Sequence, residues 1–340
     1  MPDLHYWNDL SRAGGTFILL LLLLTAGCSP SVDTPSTTDG EASLPPVSVQ
    51  LNWFPEVEHG GVYQSLADGT YAERGLAVEI KPGGAETPIA SELLLGRSQF
   101  AITNADDVVL SRAQGADIVA VLAAAQDHPR CLLVRADSGV ESFEDLSGMT
   151  LQCQPGRAFL PFLRQRGYLD GVREVPYFNS IAAMVGDPKI AVQAYLVAEP
   201  LLARQQGLEV RTLMLSDLGW NPYSSVLVTT GTVIRESPEM VREFVAATQA
   251  GWIRYLESPE QANRAILAAN THGMTAEVLQ FGAEQMRALA QPDPATRIGT
   301  MTSQRWETLV EQMNEVNVIE KGSVNASECY TLEFLGTWEQ

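Results

Sequence analysis

The chain has 340 residues, 45% hydrophobic and 19% charged, a composition that suits two globular domains and excludes a disordered or polytopic membrane protein. Lys and Arg number 22 against 41 Asp and Glu, a formal charge of −19. Such a surface repels phosphate backbones, so nucleic acid is not an expected partner, and the acidity names no ligand because most carboxylates occupy solvated helix faces.

In chain order, the first signal is the apolar run Phe17–Leu24 (FILLLLLL). It is too short for the roughly 20 residues of a membrane-spanning helix but fits the core of a signal peptide. The run ends in Leu24-Thr25-Ala26-Gly27-Cys28, which resembles a bacterial lipobox. That resemblance implies cleavage before Cys28, acylation of its thiol and attachment to a membrane, so residues 1–27 are expected to be a lipoprotein signal peptide. Residues 28–46, rich in Ser, Thr, Pro, Asp and Gly, read as a flexible tether. The expected location is the cell envelope, facing the periplasm or the exterior.

Beyond the tether the pattern alternates between strand and helix periods. Strands are expected at Val47–Trp53, Ala77–Ile80, Gln99–Thr103 and Ile118–Ala124, with helices at Gly61–Glu73, Pro88–Leu95 and Asp106–Ala113. A second set begins at Cys131–Arg135. It continues with strand Met149–Cys153, helix Gly156–Arg166, strand Glu174–Pro176, a helix running into a strand over Ile190–Val197, and strand Val210–Leu215. Strand Leu227–Thr230 is followed by helices at Pro238–Leu256, Pro259–Ala269, Ala276–Leu289 and Ser303–Asn314. Ser237-Pro238 places a capping residue before a proline in the first turn.

This succession predicts an α/β fold with mainly parallel sheets covered by helices. The breaks at Gln126–Arg130 and Gly219–Ser225 read as two crossings between lobes. Lobe one is therefore expected to be discontinuous, at 47–128 and 226–340, with lobe two at 129–225. Ligands of open α/β sheets lie beyond the carboxyl ends of the strands. Here those ends are Trp53–Glu58, Asn104–Asp107, Gln154–Arg157 and Ala198–Glu199. Three cysteines follow Cys28, none in a metal-binding spacing. A Cys131–Cys153 disulfide and three small buried thiols are equally compatible with the pattern.

A set of short motifs then recurs in order: Asn52-Trp53-x-Pro55 with His59 and Tyr63; Gly69-x-Tyr71; Arg74-Gly75-Leu76; Phe100-Ala101-Ile102; Arg112-Ala113-x-Gly115; Asp145-Leu146-x-Gly148; Glu199-Pro200; and Val241–Gly251. Together, behind a lipobox, they resemble the solute-binding proteins of ABC importers. The subgroup includes binders of thiamine-pyrimidine precursors, riboflavin, nitrate and alkanesulfonates, and the fungal pyrimidine synthases of thiamine biosynthesis. The resemblance implies two Rossmann-like lobes on a two-stranded hinge, the type II periplasmic binding fold. It also implies a small-molecule ligand, an ABC permease as partner, action as a monomer and no cofactor.

Residue by residue, Trp53 and Tyr63 are candidates to stack on a flat ligand, with a core position the alternative for Tyr63. His59 precedes a Gly-Gly helix start and is a candidate hydrogen-bonding group. Asn104 and Asp106 either read ligand N–H groups or cap the next helix. Gln154 and Arg157 flank a strand-to-helix turn that suits an anionic or carbonyl group, and Arg157 is also placed to pair with Glu199. Glu199 either accepts hydrogen bonds from an amino-pyrimidine or serves the helix dipole. Phe159 belongs either to the cleft or to the core, and Tyr223 to the hinge behind the cleft. With one cation expected in the cleft, a neutral or weakly basic heteroaromatic ranks above nitrate or sulfonate.

The related synthase forms a Schiff base on a lysine and needs a cysteine-rich iron motif. Lysine occurs here only at positions 81, 189 and 321, and the segment Gly219–Ser225 (GWNPYSS) holds no cysteine. No nucleophile–base pair, P-loop or HExxH motif appears. The expectation is a binding protein without catalysis.

Overall fold

The computed structural model describes residues 46–336, so the signal segment, Cys28 and most of the tether lie outside the described residues. The first half begins with β1 (Pro46–Gln50), α1 (Gly60–Ala67), α2 (Thr70–Glu73) and β2 (Ala77–Lys81). It continues with α3 (Ile89–Leu94), β3 (Phe100–Thr103), α4 (Ala105–Ala113) and β4 (Ile118–Ala125). The middle holds β5 (Arg130–Arg135), β6 (Thr150–Cys153), α5 (Phe159–Gln165), β7 (Arg173–Pro176), α6 (Ala182–Gly186), β8 (Ile190–Tyr195), α7 (Glu199–Gln205) and β9 (Val210–Met214). The chain closes with β10 (Ser224–Thr230), α8 (Gly231–Glu236), α9 (Pro238–Glu257), α10 (Glu260–Ala269), α11 (Ala276–Ala290) and α12 (Ser303–Glu315).

Two five-stranded sheets result, in the orders β2-β1-β3-β10-β4 and β7-β6-β8-β5-β9. Both are mixed: four strands of each run one way, in line with the expectation of mainly parallel sheets, and one is reversed. β1 runs parallel to β2 and β3, and β6 parallel to β7 and β8. β10 is antiparallel to β3 and β4, and β5 to β8 and β9. The reversed strand is in each case the one that arrives from the other sheet. Both inserted strands are almost wholly buried, each lying between two neighbouring strands of its sheet.

Three local readings change. The helix expected over Gly61–Glu73 breaks in two, because Gly69 takes a φ of 83° that a helix cannot continue. Ile190–Tyr195 is strand throughout, and its helix comes earlier, at Ala182–Gly186. The thiols of Cys131, Cys153 and Cys329 are free and buried. β8 lies between the strands of Cys131 and Cys153, a gap of roughly two strand spacings that a disulfide does not bridge.

Packing of the last helices fixes the site from behind. α1 lies against α9 through glycine contacts: a Cβ on Gly61 would meet the Trp252 indole at 2.3 Å, and one on Gly251 would meet the Gly61 carbonyl at 2.2 Å. Only glycine permits this approach. The aromatic stack of Tyr71, Phe244 and Phe100 fills the core beneath it.

Candidate ligand-binding site

A cavity of about 310 Å³ opens where the carboxyl ends of the two sheets face each other. The turn after β1 supplies Asn52, Trp53, Glu56 and Glu58. The end of β3 and α4 supply Asn104 and Asp107, and the start of α3 gives an apolar edge at Pro88, Ile89 and Ala90. From the second sheet come Arg130, Gln154, Arg157, Tyr177, Gln193, Tyr195 and Glu199.

The β1 turn is held by His59. Its Nδ1 accepts the Glu56 backbone N–H at 3.2 Å, so the ring proton sits on Nε2 and is donated to Asn52 Oδ1 at 3.1 Å. The imidazole is fully buried, and burial pushes its pKa down to about 3, so it is neutral. The loop after β2 closes the turn from outside. Gly83 N–H donates to the Trp53 carbonyl at 3.1 Å, and a Cβ there would lie 2.0 Å from the Leu51 carbonyl oxygen.

The carboxyl wall is the main electrostatic feature. Glu56 and Glu58 stand together on this wall, close enough for Glu58 to raise the proton affinity of Glu56, and Glu199 raises that of both. Burial pushes Glu58 up to about 7 and Glu56 well above the carboxylate range, so the empty pair holds a proton at neutral pH. Glu199 accepts the Tyr195 backbone N–H at 2.9 Å and the Tyr177 hydroxyl at 3.3 Å, yet burial still raises it.

Facing that wall is Arg130, only 8% exposed. One Nη donates to the Tyr195 hydroxyl at 2.8 Å, and the guanidinium carbon lies 4.3 Å from the centre of the same ring. Among the described residues no carboxylate lies within ion-pair distance of it. The Tyr195 hydroxyl also accepts from Asn104 Nδ2 at 3.3 Å, so it joins the two sheets across the cavity. Gln154 Oε1 accepts Arg157 Nε at 2.9 Å, and the Gln154 backbone N–H donates to Gln193 Oε1 at 2.7 Å.

Of the nine residues proposed from sequence, Trp53, Asn104, Gln154, Arg157 and Glu199 line this cavity. Four are placed elsewhere. His59 stands one layer behind, as described. Tyr63 is 4% exposed in the core, because the Gly-Gly face of α1 turns its other residues onto α9 and the sheet. Asp106 points inward with an unpartnered Oδ1, and its neighbour Asp107 faces the cavity instead. Tyr223 is buried in the hinge, where its hydroxyl accepts the Thr302 N–H at 2.9 Å and Arg305 lies over its ring at 3.9 Å. Phe159 belongs to the core.

Asn104 caps α4 by position without a side-chain cap bond, so its amide is free to cross the cleft. Arg157 does not pair with Glu199: its Nη1 lies 3.6 Å from Asp107 Oδ1, a contact from the turn after β6 to the first turn of α4. Glu199 turns to the Tyr195 backbone and Tyr177 because it occupies the first turn of α7, with Pro200 behind it. Sequence reasoning passed over Glu56, Glu58, Arg130, Tyr177, Gln193 and Tyr195. The signal was a charged residue opening an otherwise apolar strand (Arg130-Cys131-Leu132-Leu133-Val134) and two acids spaced one apart at a strand end.

Residues 56–262 match the family described as NMT1/THI5 like. The riboflavin-binding protein RibY of Chloroflexus aurantiacus is 27% identical over 72% of this chain and 74% of its own length. A formylaminopyrimidine-binding protein of Halalkalibacterium halodurans is 23% identical over 89% of this chain and 94% of its own. The fold is that of the periplasmic aliphatic sulphonate binding protein SsuA from Escherichia coli, with a TM-score of 0.66 at 15% identity over 87% of this chain and 94% of that one. With a match over more than half its length and a two-lobed binding fold around one shared cavity, the chain belongs to the NMT1/THI5-like family.

Proposed function

We propose that this protein is the extracytoplasmic solute-binding component of an ABC importer and captures a small heteroaromatic molecule without chemically changing it. The observation that carries this reading is the composition of the cavity wall. Trp53, Tyr177 and Tyr195 offer aromatic surface, while Asn52, Gln193, Arg130 and the carboxyl groups offer donors and acceptors on both sides. A flat ring with polar edges uses both, whereas a small inorganic anion uses neither the aromatics nor the acids. The similarity to proteins named for riboflavin and formylaminopyrimidine supports the same class.

Trp53, Asn104, Gln154, Arg157 and Glu199, joined by Arg130 and Tyr195, are the proposed contacts. Capture works by closure: a ligand touching both sheets' loops stabilises the closed form, which a permease then recognises. Anchoring through Cys28, a monomeric state and export to the cell envelope complete the proposal.

The test is a thermal-shift and native mass-spectrometry screen of the purified mature protein against formylaminopyrimidine, riboflavin, an alkanesulfonate and nitrate. Stabilisation by a heteroaromatic member and one bound ligand per chain is the expected result. Stabilisation by nitrate or sulfonate alone would move the protein to the anion binders.

A further inference from the structure

We propose that the cavity selects a dipolar aromatic ligand, with a cationic or amidine-type N–H edge at Glu56 and Glu58 and a carbonyl or anionic oxygen at Arg130, and that binding expels the proton the two glutamates share. This rests on the capture reading above and adds to it the charge pattern of the solute and the proton exchange.

Three geometric facts carry it. First, Glu56 and Glu58 line the same wall of the cavity, two residues apart on the one short turn Glu56–His59. Two carboxyl groups this close, Glu58 only 5% exposed, resist being charged together, so the unliganded site keeps a proton on the pair. Second, Ser224 Oγ lies 2.8 Å from Asn104 Oδ1 and 3.2 Å from Glu58 Oε1. A hydroxyl has one proton for two acceptors, and a proton on the glutamate pair resolves the shortage. Third, Arg130 lines the cavity more than nine-tenths buried, with one N–H on the Tyr195 hydroxyl and no carboxylate in reach among the described residues. A buried guanidinium with no carboxylate within ion-pair distance has N–H groups left for an oxygen from the ligand.

The groups around the pair agree with this. Glu199 of α7 adds negative charge and Arg130 of β5 positive charge, while Ser224 of β10 is the hydroxyl just described. His59 is neutral and committed to Asn52 and the Glu56 backbone. On α11, which packs against Val57 through Gly282, Glu277 accepts from Gln205, Glu284 from Gln280, and Arg287 donates to the Leu256 carbonyl. None of the three competes for the pair.

When a cationic edge enters, it replaces the proton as the charge that holds the carboxylates together. The O–H bond of the pair breaks, the proton passes to buffer, and two N–H···O⁻ hydrogen bonds form. At the other end the ligand oxygen takes the N–H groups of Arg130 that face the cavity.

The probe is 4-amidinobenzoate, a flat ring with an amidinium and a carboxylate, neither of which titrates between pH 6 and 8. Its comparison is 4-carbamoylbenzoate, the same shape with a neutral amide. Titration calorimetry in two buffers of different ionisation heat counts protons. We expect the amidine to bind with release of about one proton and to tighten by about tenfold per pH unit wherever that release is complete. The carbamoyl compound is expected to bind more weakly and without pH dependence, and Glu58→Gln to abolish the proton release. Binding of the amidine without buffer-dependent heat, or equal binding of the two compounds, overturns the proposal. If riboflavin or formylaminopyrimidine binds and the amidine does not, this inference falls and the capture reading stands. If none of the four binds, both fall.

Discussion

His59 holds Asn52 by a 3.1 Å hydrogen bond from its Nε2, and takes the Glu56 backbone N–H on its other nitrogen at 3.2 Å. A residue that never reaches the cavity thereby sets the direction of two that do. Replacing it with Ala removes both anchors and leaves a hole in a fully buried position. We expect His59→Ala to cost about 2–4 kcal/mol of stability and to weaken ligand binding more than tenfold in whatever fraction stays folded. Calorimetric melting and a fluorescence titration read the two effects separately.

Trp53 and Arg130 reach the cavity from different sheets and, as proposed contacts, are expected to fail differently. Trp53→Ala removes stacking area and should weaken binding by tenfold or more with little change in melting temperature, since one aromatic contact contributes about 0.5–1.5 kcal/mol beyond its buried area. Arg130→Lys keeps the charge but loses the planar fork and the contact with the Tyr195 ring, so affinity should not recover to the wild-type value. Isothermal titration of both variants against one ligand is the check. An Arg130→Lys protein that binds as well as wild type removes the guanidinium from the site.

Stability of the empty protein should peak in mild acid. Glu58 is raised to about 7, Asp106 to about 6, and Glu56 and Glu199 are also raised, so the folded state keeps each of these protons to a higher pH than the unfolded chain does. Stability from this source is lost as pH climbs from the unfolded carboxylate range through about 7. His59, lowered to about 3, and His128, also lowered, act with the other sign: the unfolded chain takes up their protons first, so stability is lost as pH falls below about 6.5. The raised acids outnumber the lowered histidines, so the balance turns downward once the unfolded carboxylates lose their protons, which puts the maximum at about pH 4–5. The melting temperature is expected to drop by several degrees between pH 6 and 8. A melting series across pH 4 to 9 tests the shape, and a profile rising steadily to pH 8 contradicts it.

Gly83 is where backbone meets backbone at the site. Gly83→Ala drives a methyl into the Leu51 carbonyl, which sits in the turn carrying Trp53 and Asn52. We expect a loss of about 1–3 kcal/mol from the forced shift and reduced affinity, because the turn is the element that must move. A variant with wild-type melting and affinity shows that the loop after β2 yields instead.

The sequence made the strand ends legible because they follow a rule of position: whatever succeeds a buried run in an α/β sheet faces the cleft. Trp53, Asn104, Gln154, Arg157 and Glu199 were found that way, and all five line the cavity. Position alone does not say which way a side chain turns. Asp106 and Asp107 are adjacent and equally acidic, yet only Asp107 reaches the cavity, because helical rotation sends its neighbour inward. Arg130 escaped notice because it opens a strand that runs against its neighbours, so its amino end lies where the others have their carboxyl ends. Reading it requires the strand direction, which depends on the crossing between the sheets and on nothing local.

That crossing also has a consequence for biosynthesis. β3 and β4 do not touch; β10 fills the space between them. As the chain is synthesised from its amino end, the first sheet therefore exists as two unjoined fragments with bare hydrogen-bonding edges until Ser224–Thr230 follows. The second sheet, β5 to β9, is complete before then. Maturation is expected to run from the middle outward, with the last-made half closing the first, and the vulnerable species for chaperones and proteases is a chain truncated just short of β10.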